Sequence, residues 1–214
     1  MKKNAFTMIE LVMVIVVLGI FAALALPRLN RDHKQDAEDN ILSAIRYTQH
    51  LALVDDKQKF DNPQWQRRFW RIMFAQCSDG TAFYKIGSDD DMNSTSTFAQ
   101  TEAALDPANG QKMYAANNGD CSATTVSPNI LIGKKYGVTV NNMTGGGKCT
   151  GVKSIGFDHL GRPHIGFSGS NTPNYSSYVQ NTCLMNFTLS NNETFQISIQ
   201  PETGYAQIVG QPDL

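Results

Sequence analysis

A charge-free run near the N-terminus constrains this chain more than any other feature. No charged side chain occurs from Leu11 to Leu26, and a single acid, Glu10, stands directly before the run. If residues 6–26 form a helix, its about 21 residues would span roughly 31 Å, close to the ~30 Å hydrocarbon core of a bilayer. The run therefore predicts a membrane-spanning helix, and Lys2 and Lys3 place its start in the cytoplasm.

Three interpretations of this run compete. A secretory signal would be cleaved near the small-residue site Ala23-Leu24-Ala25 and would release a soluble protein. A simple membrane anchor fits the length equally well. Both leave Glu10 unexplained, unless its side chain reaches the interface, because a carboxylate within the bilayer costs ~3 kcal/mol on insertion scales.

The third interpretation rests on residues 6–10, Phe-Thr-Met-Ile-Glu, which follow a short basic leader. This pattern resembles the class III signal of the type IV prepilin superfamily, which includes type IV pilins and the pseudopilins of type II secretion. The resemblance implies a cut between Ala5 and Phe6, N-methylation of Phe6, and assembly roles for Thr7 and Glu10. The residue before the cut is usually glycine in the family and is Ala5 here.

The cut would create an α-ammonium group at Phe6. In a filament of parallel, staggered helices this group can pair with Glu10 of the same or a neighbouring chain, where a low dielectric strengthens the attraction. Pro27 lacks a backbone donor and predicts a kink or local melting of the helix. Together with Gly19 it would let the helix stretch on assembly, as the resemblance implies; alternatively, Pro27 marks the membrane exit.

The resemblance implies an α+β pilin fold, in which a long N-terminal helix, membrane-spanning in its first half, packs on an antiparallel β-sheet domain. Ile41, Ile45, Thr48 and Ala52 recur at helical spacing and predict a buried face on a helix that ends near Val54. The predicted organisation is a prepilin leader at 1–5, a transmembrane and assembly helix at 6–27, its amphipathic second half at 28–55, and a periplasmic β-rich domain at 56–214 with a long variable loop at 87–128.

Alternating apolar residues predict strands in the remainder of the chain. Residues 67–77 and 82–86 are predicted to pair through the turn Ser78-Asp79-Gly80. Short apolar runs at 130–132 and 136–140, and the alternation from residue 155 onward, predict a β meander in the C-terminal third. Such half-buried antiparallel strands are typical of a sheet that packs on one helix face.

The four cysteines are Cys77, Cys121, Cys149 and Cys183. All lie outside the apolar helix and would face an oxidising periplasm. Their even number predicts two disulfides, with three connectivities open and free thiols as the alternative. No two of them stand in C-x-x-C spacing, which disfavours zinc, and no metal site is predicted.

One short segment invites a nucleic-acid interpretation. Arg67, Arg68 and Arg71 interleave with aromatic residues, and arginines can neutralise phosphates while aromatic rings stack on bases. The competing and favoured interpretation is an amphipathic strand with Trp70 and the apolar residues after it inside. The net charge of −1 and a C-terminus without basic residues argue against DNA capture.

Two further patterns suggest other sites. Asp89, Asp91 and Asn93 offer oxygen ligands for calcium, but the glycine of the EF-hand turn is missing, and a solvated loop is the better interpretation. A catalytic cluster can also be drawn from Asp158, His159, His164 and Ser168. Turn chemistry explains that segment, no nucleophile elbow is present, and histidines beside a turn are expected at the surface. We expect no enzyme, no cofactor and no small-molecule substrate.

Residues 155–163, Ile-Gly-Phe-Asp-His-Leu-Gly-Arg-Pro, and the later turn Pro201-Glu202-Thr203-Gly204 are similar to the minor pseudopilin H and FimT branch of the superfamily. This implies a minor pseudopilin of a type II secretion system or, alternatively, a minor type IV pilin in pilus assembly, adhesion or DNA uptake. Either would be a single-pass inner-membrane protein with a periplasmic domain, taken into a periplasmic filament or to the cell surface. The implied partners are other pilin or pseudopilin subunits, a prepilin peptidase and methyltransferase, an inner-membrane assembly platform and secreted exoproteins.

Overall fold

The computed structural model describes residues 7–93, 97–121 and 126–211, with the backbone alone at 22–32. The chain divides into two compact units, Met1–Asp36 and Ala37–Leu214. The predicted leader at 1–5 lies outside the described residues. The other predicted boundaries, at 27 and 55, stay predictions.

The described residues contain two α-helices. Helix α1 spans Met8–Val54 and α2 spans Ile132–Tyr136. The backbone of α1 is helical at both Gly19 and Pro27, so the local melting predicted at Pro27 is not seen. The predicted helix end near Val54 is confirmed.

The second part of α1 buries the face that its spacing predicts. Ile41 and Ile45 are fully buried, as are Thr48 and Ala52. The Thr48 hydroxyl donates to the Ala44 carbonyl oxygen at 2.8 Å, so its polar group is satisfied within the helix. A threonine can therefore take a core position on this face without a lost hydrogen bond.

Eight strands follow α1 in the described part of the chain. Their bounds are β1 Trp70–Gln76, β2 Ala82–Gly87, β3 Val138–Val140, β4 Ser154–Phe157, β5 Pro163–His164, β6 Cys183–Leu189, β7 Thr194–Ile199 and β8 Ala206–Ile208. They form two four-stranded sheets, in the orders β2-β1-β4-β5 and β3-β6-β7-β8. Every adjacent pair is antiparallel, which confirms the predicted α+β class with antiparallel sheets.

The predicted C-terminal meander is only partly correct. Strands β6, β7 and β8 do follow one another, but β4 and β5 join β1 in the other sheet. The cause is a pairing between residues far apart in sequence, such as Trp70 with Phe157, which local alternation does not encode. The apolar run at 130–132 is also not a strand, because it forms the end of a 3₁₀ helix, Pro128–Ile130, and the start of α2.

Strand β1 begins later than predicted. Residues Trp65–Arg68 form a 3₁₀ helix instead of the first part of the strand. Trp65 and Phe69 pack with Phe167 in a small cluster separate from the main core. The main core joins the second part of α1 to both sheets, and Phe74 of β1 meets Phe187 of β6 there, with ring centroids 5.5 Å apart.

The long loop predicted at 87–128 packs on the domain. Its described residues include the buried side chains of Phe98 and Met113. Isolated bridges join Gly87 to Ala103 and residue 105 to residue 112. The segment is thus an insertion with small elements of its own, which is one of the two possibilities that its length suggests.

Candidate assembly site at the start of the long helix

The side chains of Thr7 and Glu10 close the first turn of α1. The backbone N–H of Thr7 and its hydroxyl both donate to Glu10 Oε2, each at 2.9 Å. In return, the backbone N–H of Glu10 donates to Thr7 Oγ1 at 3.4 Å. This reciprocal arrangement is a capping box, in which the residue before the helix and the third helical residue satisfy each other's backbone donors.

The capping box is also visible in the sequence. The Thr-x-x-Glu spacing of residues 7–10 is its signature. The prepilin resemblance gives Thr7 no physical role, and this spacing supplies one. The pairing of Glu10 with an ammonium group of the same or a neighbouring chain was predicted without this signal.

The position of Glu10 leaves it able to take a second partner. A carboxylate in the first turn interacts favourably with the partial positive charge at a helix N-terminus. Both hydrogen bonds to its side chain end at Oε2, so within the described chain Oε1 keeps its acceptor capacity. Capping the helix and pairing with an ammonium group are therefore compatible roles for one carboxylate.

The apolar side chains after Glu10 are exposed. Every large apolar residue from Met8 to Phe21 is at least 46% exposed. A continuous apolar surface of this extent needs an apolar partner, which can be lipid or another helix. Among the described residues, no helix combines the length and apolar character needed to cross a membrane.

Three of the predicted processing and assembly residues cannot be placed by their side chains. Ala5 and Phe6 lie outside the described residues, and at Pro27 only the helical backbone is described. The cut between Ala5 and Phe6, the N-methylation of Phe6 and the assembly role of Pro27 remain predictions.

The arginines of the nucleic-acid interpretation are not a surface patch. Arg67 and Arg71 are 4% and 1% exposed, and Arg68 pairs with Asp61 at 3.1 Å. The acceptors of the Arg67 guanidinium are Ser170 O at 3.1 Å, Met92 O at 2.8 Å and Asn171 Oδ1 at 2.9 Å. This corrects the nucleic-acid interpretation, because two of the three arginines are enclosed and cannot reach phosphates. Their replacement would test folding instead of DNA binding.

Arg71 is held between two aromatic rings. Its guanidinium carbon lies 5.7 Å from the ring centroids of both Phe98 and Phe167. Nη2 donates to Arg67 O and Thr97 O, while Nε and Nη1 have no acceptor among the described residues. The negative faces of the rings take the place of acceptors, and burial lowers the pKa of Arg71 to about 10.

The cluster drawn around the predicted turn is a buried network. His164 Nδ1 lies 2.9 Å from Ser177 Oγ, and His164 Nε2 lies 3.2 Å from Asp158 Oδ2. All three residues are buried, so the expected surface position is wrong for His164. His159 and Ser168 are not brought into this network. A serine with no exposed surface cannot meet a substrate, so this triad-like geometry is structural.

Asp158 is the centre of that network. Its Oδ2 accepts from Arg162 Nε at 2.7 Å as well as from His164, and its Oδ1 accepts from the backbone N–H groups of Leu160 and Arg162. Burial alone would raise the pKa of Asp158, but the hydrogen bonds from His164 and Arg162 outweigh it and hold the pKa well below its usual range. The carboxylate stays ionised and fixes the turn at 158–163.

The carboxylates of the calcium interpretation only partly come together. Asp89, Asp91 and Glu102 bring carboxylate oxygens within 4.8 Å of one another, so two of the three predicted ligands lie together. Glu102 already accepts from the backbone N–H groups of Asp91 and Ala99. These two bonds give Glu102 a loop-stabilising role, whereas Asp89 is fully buried, which the solvated-loop interpretation does not expect.

Comparison with protein families decides the nature of the N-terminal segment. Residues 1–26 match the model of the prokaryotic N-terminal methylation motif. The comparisons with curated proteins and with solved structures found no match. The motif supports a type IV pilin-like protein, and the α+β architecture is consistent with a pilin fold. It points to a structural subunit that a prepilin peptidase processes and that assembles with other pilins.

The cysteines of this pilin-like chain form two disulfides. Cys77 is bonded to Cys121 and Cys149 to Cys183, which resolves the three open connectivities. The first bond encloses most of the long loop at 87–128. The second joins the segment before β4 to the start of β6. The prediction of two disulfides is confirmed, and none of the four cysteines is a free thiol.

Proposed function

We propose that this chain is a minor pseudopilin subunit of a type II secretion system. Its N-terminal helix holds it in the inner membrane until a periplasmic filament takes it up. The methylation motif at residues 1–26 is the observation that carries the proposal, because it joins processing and assembly in one segment. The similarity of residues 155–163 to the pseudopilin H and FimT branch supports the choice of a minor pseudopilin.

The apolar surface of residues 8–21 moves from the membrane into the filament core during assembly. In the membrane, lipid covers this surface, and in a filament the helices of neighbouring subunits replace the lipid. The exchange costs little hydrophobic free energy, because both environments are apolar. The α+β domain, Ala37–Leu214, forms the outer surface of the filament.

Glu10 sets the register of the helices. Its Oε2 remains in the capping box with Thr7, and its Oε1 accepts from the α-ammonium group that cleavage creates at Phe6 of a neighbouring chain. An ammonium group beside a helix N-terminus is unfavourable by itself, since both carry positive charge. The carboxylate offsets this repulsion, so only the register that brings the two groups together is stable.

The alternative is a minor type IV pilin that acts in pilus assembly, adhesion or DNA uptake. The same N-terminal segment serves both kinds of filament. DNA uptake has less support than the other roles, because the arginines that suggested it are enclosed by protein. The expected location is the inner membrane before assembly, with the domain in the periplasm or at the cell surface.

The mature N-terminus tests the processing step. Mass spectrometry of the chain from its native membrane should find Phe6 as the first residue, with one methyl group on its nitrogen. An Ala5→Gly variant should be processed at least as completely, because glycine is the usual family residue. A mature chain that starts at Leu26 would restore the secretory-signal interpretation.

Filament incorporation tests the role of Glu10. The Glu10→Val variant should reach the membrane in normal amount but stay out of sheared or purified filaments. Leu11→Val is the matched control, since it alters a neighbouring apolar residue and leaves the carboxylate in place. Normal incorporation of Glu10→Val would defeat the proposed pairing.

Deletion of the gene tests the choice between the two filaments. Loss of exoprotein secretion with intact surface pili would favour the pseudopilin over the pilin alternative.

A further inference from the structure

A concave pocket lies in the domain, among residues that the assembly function does not use. It has a volume of about 420 Å³, within the ~300–1,000 Å³ range of small-molecule sites. Its lining includes Phe60, Trp65, Tyr175 and Tyr178 together with Arg162. The combination of aromatic rings with a cation is typical of a binding pocket and not of a packing defect.

The rings form a continuous aromatic wall. Centroid distances are 5.1 Å for Phe60 and Trp65, 5.4 Å for Trp65 and Phe69, 5.1 Å for Phe69 and His164, and 5.8 Å for His164 and Tyr178. Phe60 at one end is 71% exposed, and Tyr175 is 78% exposed. Most of the surface of these two rings faces solvent, and a ligand would cover it.

The polar groups of the pocket are mainly donors. Arg162 Nε and Nη2 both lie 2.7 Å from Asp158 Oδ2, which fixes the guanidinium and leaves Nη1 without a partner among the described residues. The Trp65 indole N–H and the Gln58 side-chain amide, both in the lining, also have no partner among the described residues. An incoming ligand therefore meets a guanidinium, an indole N–H and an amide.

The main acceptors of the pocket are already occupied. Asp158 accepts from His164, Arg162 and backbone N–H groups, as described above. Gln66 donates from Nε2 to Asn174 O at 3.3 Å and accepts from the Asn174 backbone N–H. A peptide brings backbone N–H donors that would compete for these occupied acceptors. A ligand rich in acceptor oxygens fits better.

We infer that this pocket binds a saccharide that carries carboxylate groups. A sugar ring has apolar C–H faces that pack on aromatic rings and an edge of oxygens that accept hydrogen bonds. The carboxylate of the sugar accepts from the N–H groups of Arg162 Nη1, while Nε and Nη2 stay with Asp158. The role is independent of the proposed assembly function and would operate in either kind of filament.

A second cavity indicates that the ligand is longer than one sugar ring. It has a volume of about 240 Å³ and shares Tyr175 and Tyr178 with the first pocket. Lys148 lines it and adds a second cation. A chain of acidic sugars would place one ring in each cavity, with the two shared tyrosines between them.

Calorimetric titration of the full chain tests this inference. The chain is held in a detergent without a sugar headgroup, and the probes are trigalacturonate, uncharged chitotriose and an acidic tetrapeptide. Trigalacturonate should bind, chitotriose should bind more weakly, and the peptide should bind least. Saturation-transfer NMR should place the sugar protons against aromatic side chains.

Single substitutions at exposed rings sharpen the test. Phe60→Ala and Tyr175→Ala should each weaken trigalacturonate binding at least tenfold, about 1.4 kcal/mol. Both rings are exposed, so neither variant disturbs the core. Tyr205→Ala is the matched control, because Tyr205 is 44% exposed and lies outside both cavities. The inference fails if trigalacturonate does not bind, if both variants bind it as the unaltered chain does, or if the peptide binds most tightly.

Discussion

Arg71 lies over the Phe98 ring, with the guanidinium carbon 5.7 Å from the ring centroid. Arg71 of β1 stands in register with Gly87 of β2 on one side and with Gly156 of β4 on the other. The Phe98 ring occupies the space beside Gly87, and Phe167 does the same beside Gly156. Gly87, Arg71 and Gly156 thus form a row across three neighbouring strands. The Phe98 and Phe167 rings lie against the two glycines, and the Arg71 guanidinium lies between the rings.

Because the two glycines of this row have no space for a Cβ, we expect their replacement by alanine to destabilise the domain. A Cβ at Gly87 would collide with the Phe98 ring, and a Cβ at Gly156 would collide with Phe167. Gly87→Ala and Gly156→Ala should each lower the free energy of unfolding by ~1–3 kcal/mol, as overpacking of a core does. Guanidinium unfolding curves measure the change. Gly19→Ala is the control, since nothing lies within 4 Å of its Cβ position, and equal stability of all three variants would contradict the packing described.

Lys85 predicts a rise in stability with pH. Burial, followed by the charge of Arg71, lowers the pKa of Lys85 to about 8, although its Nζ donates to Thr97 Oγ1 at 2.7 Å. The unfolded chain, with a pKa of ~10.4, binds this proton more strongly than the folded chain between about pH 8 and 10. The free energy of unfolding should therefore increase over that interval.

Unfolding midpoints at pH 7.5 and pH 10 measure this rise. Lys85→Met should flatten the slope, because the residue that titrates differently in the two states is gone. Lys134→Met, at an exposed lysine, should keep the slope of the unaltered chain. An unchanged slope in Lys85→Met would show that other groups cause the pH dependence.

Asp158 predicts a loss of stability in acid. Its pKa is lower in the folded state than in the unfolded chain, so its contribution is fully present above about pH 4 and is lost as the pH falls through its folded pKa. Asp158→Asn should destabilise the domain by about 3 kcal/mol, since Arg162 and His164 lose their shared charged acceptor. The variant should also lose less stability than the unaltered chain between pH 4 and pH 2. Asp56→Asn, at an exposed acid that accepts one backbone N–H, should leave both quantities unchanged.

The capping box predicts fraying of the first turn when Thr7 is changed. Thr7→Val removes the hydroxyl that joins Glu10 and should cost ~1 kcal/mol of local helix stability. Hydrogen exchange at the amides of Glu10 and Leu11, which donate to Thr7, should then be about fivefold faster in Thr7→Val. Thr7→Ser keeps the hydroxyl and should exchange as slowly as the unaltered chain. Equal protection in both variants would mean that Thr7 does not cap the helix.

Local patterns in the sequence predicted the elements whose causes are local. The spacing of Ile41, Ile45, Thr48 and Ala52 gave the buried face of α1, because a helix repeats its faces over short distances. The alternation of Met185, Phe187 and Leu189 likewise predicted a strand, which is β6. The Thr7 and Glu10 cap belongs to the same class, since its signature spans four residues.

Long-range contacts decided what the sequence could not predict. Arg71 looked like a surface cation because the residues that cover it, Phe98 and Phe167, come from distant segments. His164 looked exposed because its partner Ser177 lies beyond a turn and a loop. In both cases the partners that bury the polar side chain lie outside the local sequence window, so the hydrophobic periodicity does not indicate them.

The two disulfides need an oxidising compartment in order to form. The bonds join cysteines 44 and 34 residues apart, and each closes a loop that would otherwise keep its freedom in the unfolded chain. A reducing cytoplasm would keep all four cysteines as thiols, so the domain would reach its full stability only after both disulfides form. For the proposed periplasmic subunit, disulfide formation would therefore follow export and precede assembly.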